Sequence, residues 1–227
     1  MITVKKGNIF TSNCDTVVNT VNCVGVMGAG IALECRLRYP EMYKKYKDLC
    51  HKDLIQVGKL WIYKTDKKWI LNFPTKKDWK HSSKIEFIEA GLIKFVRTYK
   101  EKKIKSIAFP ILGADKGGLD PEFVIQLMKK HLDPLPINID IYQYDPYAAD
   151  DLYDNFYEFI TSNDIDYLSK ASGLRQDYIL KIVDAIKCNN IFQLNQLGSI
   201  KGIGIKTLEK LFQVAQNSQN TNQASLF

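Results

Sequence analysis

Apolar residues recur along the chain in two rhythms. Short runs rich in β-branched and aromatic residues have the length of strands: ITV (2–4), TVVNTV (16–21), KLWIYK (59–64), KWILNF (68–73), KSIAFPIL (105–112) and INIDIYQY (137–144). Between them the spacing turns helical, over about 28–38, 41–50, 83–99 and 121–131. Ile85, Ile88, Leu92 and Phe95 form one apolar stripe in the third of these. Asp120-Pro121 supplies a capping residue followed by proline at the first helical position. Strands alternating with helices predict an α/β fold, a three-layer domain around a mixed, largely parallel sheet. After Tyr144 the strand rhythm stops. Asp145-Pro146 marks the boundary, and helical patterns follow at 150–162, 164–171, 175–187, 191–197 and 206–216. The expected organisation is an α/β domain over 1–146, a small all-α domain over 147–216, and a disordered tail over 217–227, where the sequence turns polar and of low complexity.

Composition narrows the class. The 227 residues, 45% hydrophobic, are enough to bury a real core. No apolar run approaches bilayer length and no secretory leader opens the sequence, so a cytoplasmic protein with no membrane partner is expected. The five cysteines (14, 23, 35, 50, 188) are scattered without C-x-x-C spacing, and the three histidines (51, 81, 131) form no ligand pattern. Neither a disulfide framework nor a metal site is expected, and no cofactor is implied. Of the net charge of +7, the basic excess sits in residues 1–146, which hold 25 of the 32 Lys and Arg but 16 of the 25 Asp and Glu. That excess suits an anionic partner such as a nucleic acid, and equally a solvated lysine-rich surface.

Two stretches carry candidate chemistry. VNTVNCVGVMGAGIA (18–32) runs a strand into Gly25, Gly28 and Gly30 and then a helix; its glycines read G-x-x-G-x-G, the reverse of a dinucleotide fingerprint. PILGADKGGLDPE (110–122) runs a strand into Gly113, Gly117 and Gly118 and then a helix. Open α/β sheets bind ligands beyond the C-terminal ends of their strands, glycine admits close approach to phosphate oxygens, and helix N-termini attract anions. Two such loops on one sheet edge, with Asn19 and Asn22 leading into the first, predict a diphosphate ligand gripped from both sides.

VNTVNCVGVMGAGIALECRLRYP together with LGADKGGLD resembles a macrodomain, the ADP-ribose-binding fold. More narrowly it resembles the macrodomains of DarG-type antitoxins, a branch related to the terminal ADP-ribose glycohydrolase. KGNIF (6–10) and ILNFPTKKDW (70–79) match the same branch, and the resemblance spans about residues 1–145. It implies that Asn8 reads the adenine amino group in place of a more usual aspartate. It implies that Asn22 orients the distal ribose, that Gly28, Ala29 and Gly30 approach the distal ribose and its phosphate, and that Gly113 to Leu119 wrap the diphosphate, Gly117 and Gly118 included. Ile9, Met27, Ile31 and Leu112 flank these loops within the same implied site. Tyr144, ending the last strand, is an adenine-stacking candidate or a packed core tyrosine.

The fold alone does not separate a reader of ADP-ribose from a hydrolase. Lys76, directly after NFPT, matches the catalytic lysine of the resembling hydrolases. A neutral amine there attacks the distal anomeric carbon, and a charged one stabilises the departing anion. The antitoxins usually read G-C-G-N-G-G-L-D where this chain has GADKGGLD. Asp115 is thus a candidate partner acid or a rim residue paired with Lys116, and Lys116 a candidate phosphate contact. The resemblance implies an ADP-ribosyl hydrolase acting on nucleic-acid bases, thymine in DNA foremost. The alternatives are a non-catalytic reader and a hydrolase of protein-linked or acylated ADP-ribose.

Outside that region, LGSIKGIGIKTLEKLF (197–212) resembles a helix-hairpin-helix element. Gly202 and Gly204 make its turn, and Lys201 and Lys206 stand beside it as candidate nucleic-acid contacts. LSKASGLRQDYILKIVDAI (168–186) resembles a weaker second copy with one glycine. Trp79 is placed to stack on an unpaired base or to pack in its loop. QASLF (223–227) resembles the pentapeptide that docks bacterial DNA proteins on the sliding clamp, with Gln223, Leu226 and Phe227 as anchors.

Overall fold

The strand TVVNTV is apolar or uncharged at every position because both of its faces are covered. In the computed structural model, which describes residues 1–188 and 191–224 (side chains to 218), it forms β2 (Thr16–Val21), whose Val17, Val18 and Asn19 are fully buried. Val17 and Val21 point into one apolar cluster with Cys35, Met42 and Tyr46, and Val18 into another with Phe73, Ile88 and Phe109. The chain divides into two units, Met1–Tyr144 and Asp145–Phe227.

The first unit is a mixed six-stranded sheet flanked by helices. Its other strands are β1 (Ile2–Gly7), β3 (Trp61–Tyr63), β4 (Trp69–Pro74), β5 (Ser106–Pro110) and β6 (Asn138–Tyr144), in the order β1-β6-β5-β2-β4-β3. All pairings are parallel except β3 with β4. Its helices are α1 (Gly30–Arg38), α2 (Pro40–His51), α3 (Ile85–Thr98) and α4 (Pro121–Leu132). Asp120 caps α4, accepting from Phe123 N at 2.8 Å, with Pro121 at the first helical position, as the sequence predicts. On α3, Gly91 is a packing requirement: a Cβ there would lie 2.1 Å from Phe73 Cζ, so the helix rests directly on β4.

A polar pair sits at the sheet centre. Asn19, on the strand leading into the first loop, donates through Nδ2 to Asn72 Oδ1 at 2.9 Å, directly across the β2–β4 register, and is fully buried. Its position three residues below the first loop gives it a partner in the sheet.

The second unit is helical: α5 (Tyr153–Ser162), α6 (Ile165–Ser172), α7 (Gln176–Lys187), a 3-10 segment (Leu194–Ser199) and α8 (Ile205–Ala224). The 191–197 segment, predicted as a helix, is thus a 3-10 turn displaced to 194–199. The backbone is also helical to Ala224 where the composition predicted disorder from 217; extending a formed helix costs far less than nucleating one. No helix among the described residues is long and apolar enough to cross a membrane.

Candidate functional site

The two glycine loops leave the sheet at the C-terminal ends of β2 and β5, and one segment ties them together. Thr75 N donates to Val21 O (2.9 Å), Cys23 N to Lys77 O (3.0 Å), and the Cys23 thiol contacts Lys76 O (3.4 Å). Farther along, Ser83 N donates to Gly117 O (3.0 Å). Residues 75–83 therefore bind the first loop at one end and the second at the other. Between these anchors the Lys76 ammonium donates to the carbonyl of Lys116 at 2.6 Å. Pro74 ends β4, which throws Lys76 past the sheet edge.

The first loop ends at α1, whose N-cap is Ala29 and supplies no side-chain acceptor. The opening amides of α1 thus have no capping side chain, and Gly28, Ala29 and Gly30 are solvent-exposed: an anion-binding arrangement. In the second loop the amides of Ala114, Gly118 and Leu119 are used internally, by Ile111, Ala114 with Asp115, and Gly113. Gly117 is obligatory there, since a Cβ would lie 2.1 Å from Gly113 O and 2.5 Å from Ser83 Oγ. The loops also meet: a side chain on Gly30 would come within 3.6 Å of Asp115 Oδ2.

The Macro domain family model matches residues 18–128. The solved macrodomain of Mycobacterium tuberculosis DarG superposes with a TM-score of 0.61 at 44% identity, covering 63% of this chain and 97% of that one. The chain belongs to the macrodomain family. A curated Mycobacterium tuberculosis relative, named DNA ADP-ribosyl glycohydrolase, is 43% identical over 150 residues, or 64% of this chain; the chain spans 42% of that relative's length. Thermosipho africanus DarTG, solved in complex with ADP-ribose, superposes with a TM-score of 0.59 at 36% identity, covering 63% of this chain and 41% of that one.

Within this macrodomain the sequence-predicted residues fall into three groups. Lys76, Gly28, Ala29, Gly30, Asp115, Lys116, Gly117 and Gly118 belong to the three segments just described. Ile31 is half-buried in the first turn of α1 and Leu119 half-buried where the second loop closes, while Met27 and Leu112 are fully buried and Ile9 nearly so, as core under the loops. Asn22, which the family resemblance implied orients the distal ribose, is bonded within the first loop. Its Oδ1 accepts from Val24 N (3.1 Å), Val26 N (3.2 Å) and Tyr46 OH (3.2 Å), and its Nδ2 donates to Val26 O (2.6 Å). That amide holds the first macrodomain loop shut. Asn8 likewise spends its Oδ1 on Phe10 N (3.0 Å), which leaves a buried donor, Nδ2, without a partner where an acceptor for adenine was expected. An N–H can be accepted only by the amide oxygen, so this orientation follows from the turn.

Tyr144 is 55% exposed at the end of β6, opposite Gly7 in register. Trp79 is 53% exposed, with the Lys80 ammonium 5.7 Å from its ring centre. The Lys116 side chain is 70% exposed, with its ammonium 3.8 Å from Asp115 Oδ1, and its carbonyl accepts from Lys76. Among the described residues no group of His, Cys, Asp and Glu could hold a metal ion.

Two supporting residues went unread in the sequence. Tyr46 is fully buried and donates to Asn22 O at 2.6 Å; burial pushes its phenol far above the usual range, so it serves as a fixed donor. Its signal was the i, i+4, i+8 stripe Met42, Tyr46, Cys50, where a buried hydroxyl demands a partner. Ser83 lies under the second loop with its Oγ buried and unpartnered. Only the tight Gly113–Gly117 spacing hinted that a small residue must sit beneath it.

In the second unit Gly202 adopts φ +91°, Gly204 opens on solvent, and Ile203 N donates to Ile200 O at 2.9 Å, a tight turn anchored by the buried Ile203. Lys201 and Lys206 are exposed on it. In the clamp-like motif the Gln223 side chain, Leu226 and Phe227 lie outside the described residues.

Proposed function

We propose that the macrodomain unit removes ADP-ribose from a nucleic-acid base, thymine in DNA foremost, with Lys76 in the reacting position. The observation that carries this reading is the placement of Lys76: its main chain is bonded to the first loop and its ammonium to the second. The names of the relatives, DNA ADP-ribosyl glycohydrolase, supply the substrate class.

In this scheme the opening amides of α1 and the Asp115–Gly117 backbone hold the diphosphate, since convergent N–H groups at glycine-permitted approaches favour anions. The bond from the distal anomeric carbon to the base nitrogen breaks and water supplies hydroxyl to the carbon and a proton to the base. Lys76 serves either by covalent attack on the anomeric carbon followed by hydrolysis or by neutralising charge on the departing base. Lys201, Gly202, Gly204 and Lys206 contact the nucleic-acid backbone, and Trp79 stacks beside the modified base. On motif grounds alone, 223–227 tethers the chain to a sliding clamp.

The test is release of ADP-ribose from a thymine-ADP-ribosylated single-stranded oligonucleotide by this chain and by Lys76→Ala. Release by the parent and loss in the variant support the reading. Binding of ADP-ribose without release by either overturns it in favour of a non-catalytic reader.

A further inference from the structure

Two half-buried rings on the macrodomain are each held between two cations. The Arg36 guanidinium lies 4.6 Å from the ring centre of Tyr43, and the Lys47 ammonium 5.7 Å from it. The ammoniums of Lys77 and Lys84 each lie 5.8 Å from the ring centre of Phe87. Lys47, Lys77 and Lys84 are exposed; Arg36, Tyr43 and Phe87 are half-buried. A cation over a ring in contact with water is only weakly attracted, so these contacts add little to the fold. What they set out is a flat apolar surface with positive charge on both flanks.

Both arrangements abut the first loop. A side chain on Gly25 would lie 3.7 Å from the Lys47 main chain and from its Cγ, and Cys23 N donates to Lys77 O at 3.0 Å. Helix α2, which carries Tyr43 and Lys47, packs on one face of the sheet through Met42 and Tyr46. Helix α3, which carries Phe87, packs on the other through Ile88 and Leu92. One cation-flanked ring therefore stands to each side of the sheet, with residues 23–25 and Lys76 between them. Carboxylates interrupt this surface at Asp48, Asp53, Asp78 and Glu86. Of these, Asp53 Oδ2 accepts from Gln56 Nε2 at 3.1 Å and Asp78 Oδ1 from Lys80 N at 3.0 Å.

Lysines alone would serve any phosphate, and a duplex keeps its base faces covered by stacking. A ring flanked by cations suits an unpaired base together with its own phosphates: the long cationic side chain swings to the phosphate and leaves the ring face to the base. Two such platforms, one on each side of Lys76, suit a strand that continues past the site in both directions. The linked base must itself leave any stack for its ADP-ribose to enter between the loops. We infer that a single strand of nucleic acid crosses the first loop. One neighbouring base stacks on Tyr43 with its backbone on Arg36 and Lys47; a neighbour on the other side stacks on Phe87 with its backbone on Lys77 and Lys84. The inference deepens the reading above and rests on it, adding the flanking nucleotides to the modified one.

The experiment uses the full chain and an unmodified, fluorescein-labelled single strand of about 15 nucleotides, read by anisotropy beside its duplex at about 50 and 200 mM NaCl. Lys47→Glu and Lys77→Glu/Lys84→Glu test the charges on the two sides, and Tyr43→Leu and Phe87→Leu test the rings. Circular dichroism and urea midpoints check folding; glutamine and methionine versions replace any variant that unfolds. Each charge variant should weaken single-strand binding at least about threefold at the lower salt, with the loss shrinking at the higher. Each ring variant should weaken it at least about threefold at both salts and change duplex binding by less than about twofold. Single-strand binding indifferent to the variants of either side overturns the inference, as does an equal loss on the duplex from the ring variants. Calorimetry with ADP-ribose on the same preparations separates the readings. Normal ADP-ribose binding beside indifferent strand binding removes this inference alone, and a parent chain that fails to bind ADP-ribose removes the macrodomain reading beneath it.

Discussion

Lys76 Nζ lies 2.6 Å from the carbonyl oxygen of Lys116, which makes the candidate reacting group also a strut between two loops. Arginine in its place keeps the charge and cannot act as an amine nucleophile. A Lys76→Arg variant that retains a tenth or more of parental release assigns charge neutralisation. One that falls with Lys76→Ala assigns covalent attack, checked by trapping with borohydride.

Asp115 brings a carboxylate beside Gly30, the first residue of the uncapped α1, where a ligand phosphate is expected. Like charges at that range oppose binding. Asp115→Asn should tighten ADP-ribose binding by about two- to fivefold at low salt, with the gain shrinking toward 0.5 M NaCl. Titration calorimetry at two salt concentrations decides; weaker binding by the variant would mean that the carboxylate contacts the ligand favourably.

Gly117→Ala drives a methyl into Gly113 O and Ser83 Oγ. The second loop must open to accept it, so ADP-ribose affinity should fall by at least about tenfold while far-ultraviolet circular dichroism stays unchanged. Gly91→Ala produces the opposite pattern. Its methyl would displace Phe73 and lift α3 from β4, an overpacking cost of about 1–3 kcal/mol or more, read as a lower urea midpoint.

Breaking the Asn19–Asn72 pair by Asn72→Ala strands a buried amide and should cost roughly 1–3 kcal/mol in urea denaturation. ADP-ribose affinity should hold within about twofold, because both residues lie inside the sheet.

Buried thiols and phenols, Cys35, Cys50, Tyr46 and Tyr153 among them, set the alkaline limit. Burial pushes the Cys50 thiol up to about 11 and the Tyr153 phenol up to about 12, above ordinary values of 9.0 and 10.0. A group whose folded pKa is raised gives up its proton first in the unfolded chain, so its contribution is complete below the unfolded value and lost as pH rises through the folded one. Stability should hold through pH 8 and decline between about pH 9 and 12. Urea midpoints across that range test it, and Cys50→Ala should flatten the lower part of the decline.

Most elements were legible because each obeys a local rule. The 3.6 period of α3, the Asp120-Pro121 opening of α4 and the continuous apolarity of β2 need no distant information. The site divides differently. The glycine loops announce themselves, but the place of Lys76 rests on bonds to residues 40 or more positions away, and only the family resemblance singled it out among neighbouring lysines. The loop bonds of Asn22 were not legible for the same reason: a ligand-facing and a loop-closing amide look alike until Val24, Val26 and Tyr46 are brought around it. Asn19, also on the strand leading into the loop, has its partner supplied by the sheet register.

The pairing of β1 with β6, Ile2 beside Ile139 through Gly7 beside Tyr144, bears on how the chain comes off the ribosome. The first strand made waits for nearly the last residues of its own unit before its edge is covered, so the nascent sheet stays open until about position 144 has left the exit tunnel. Contacts this distant in sequence are slow to form. The helical unit is made after it, and that synthesis grants the sheet time to close.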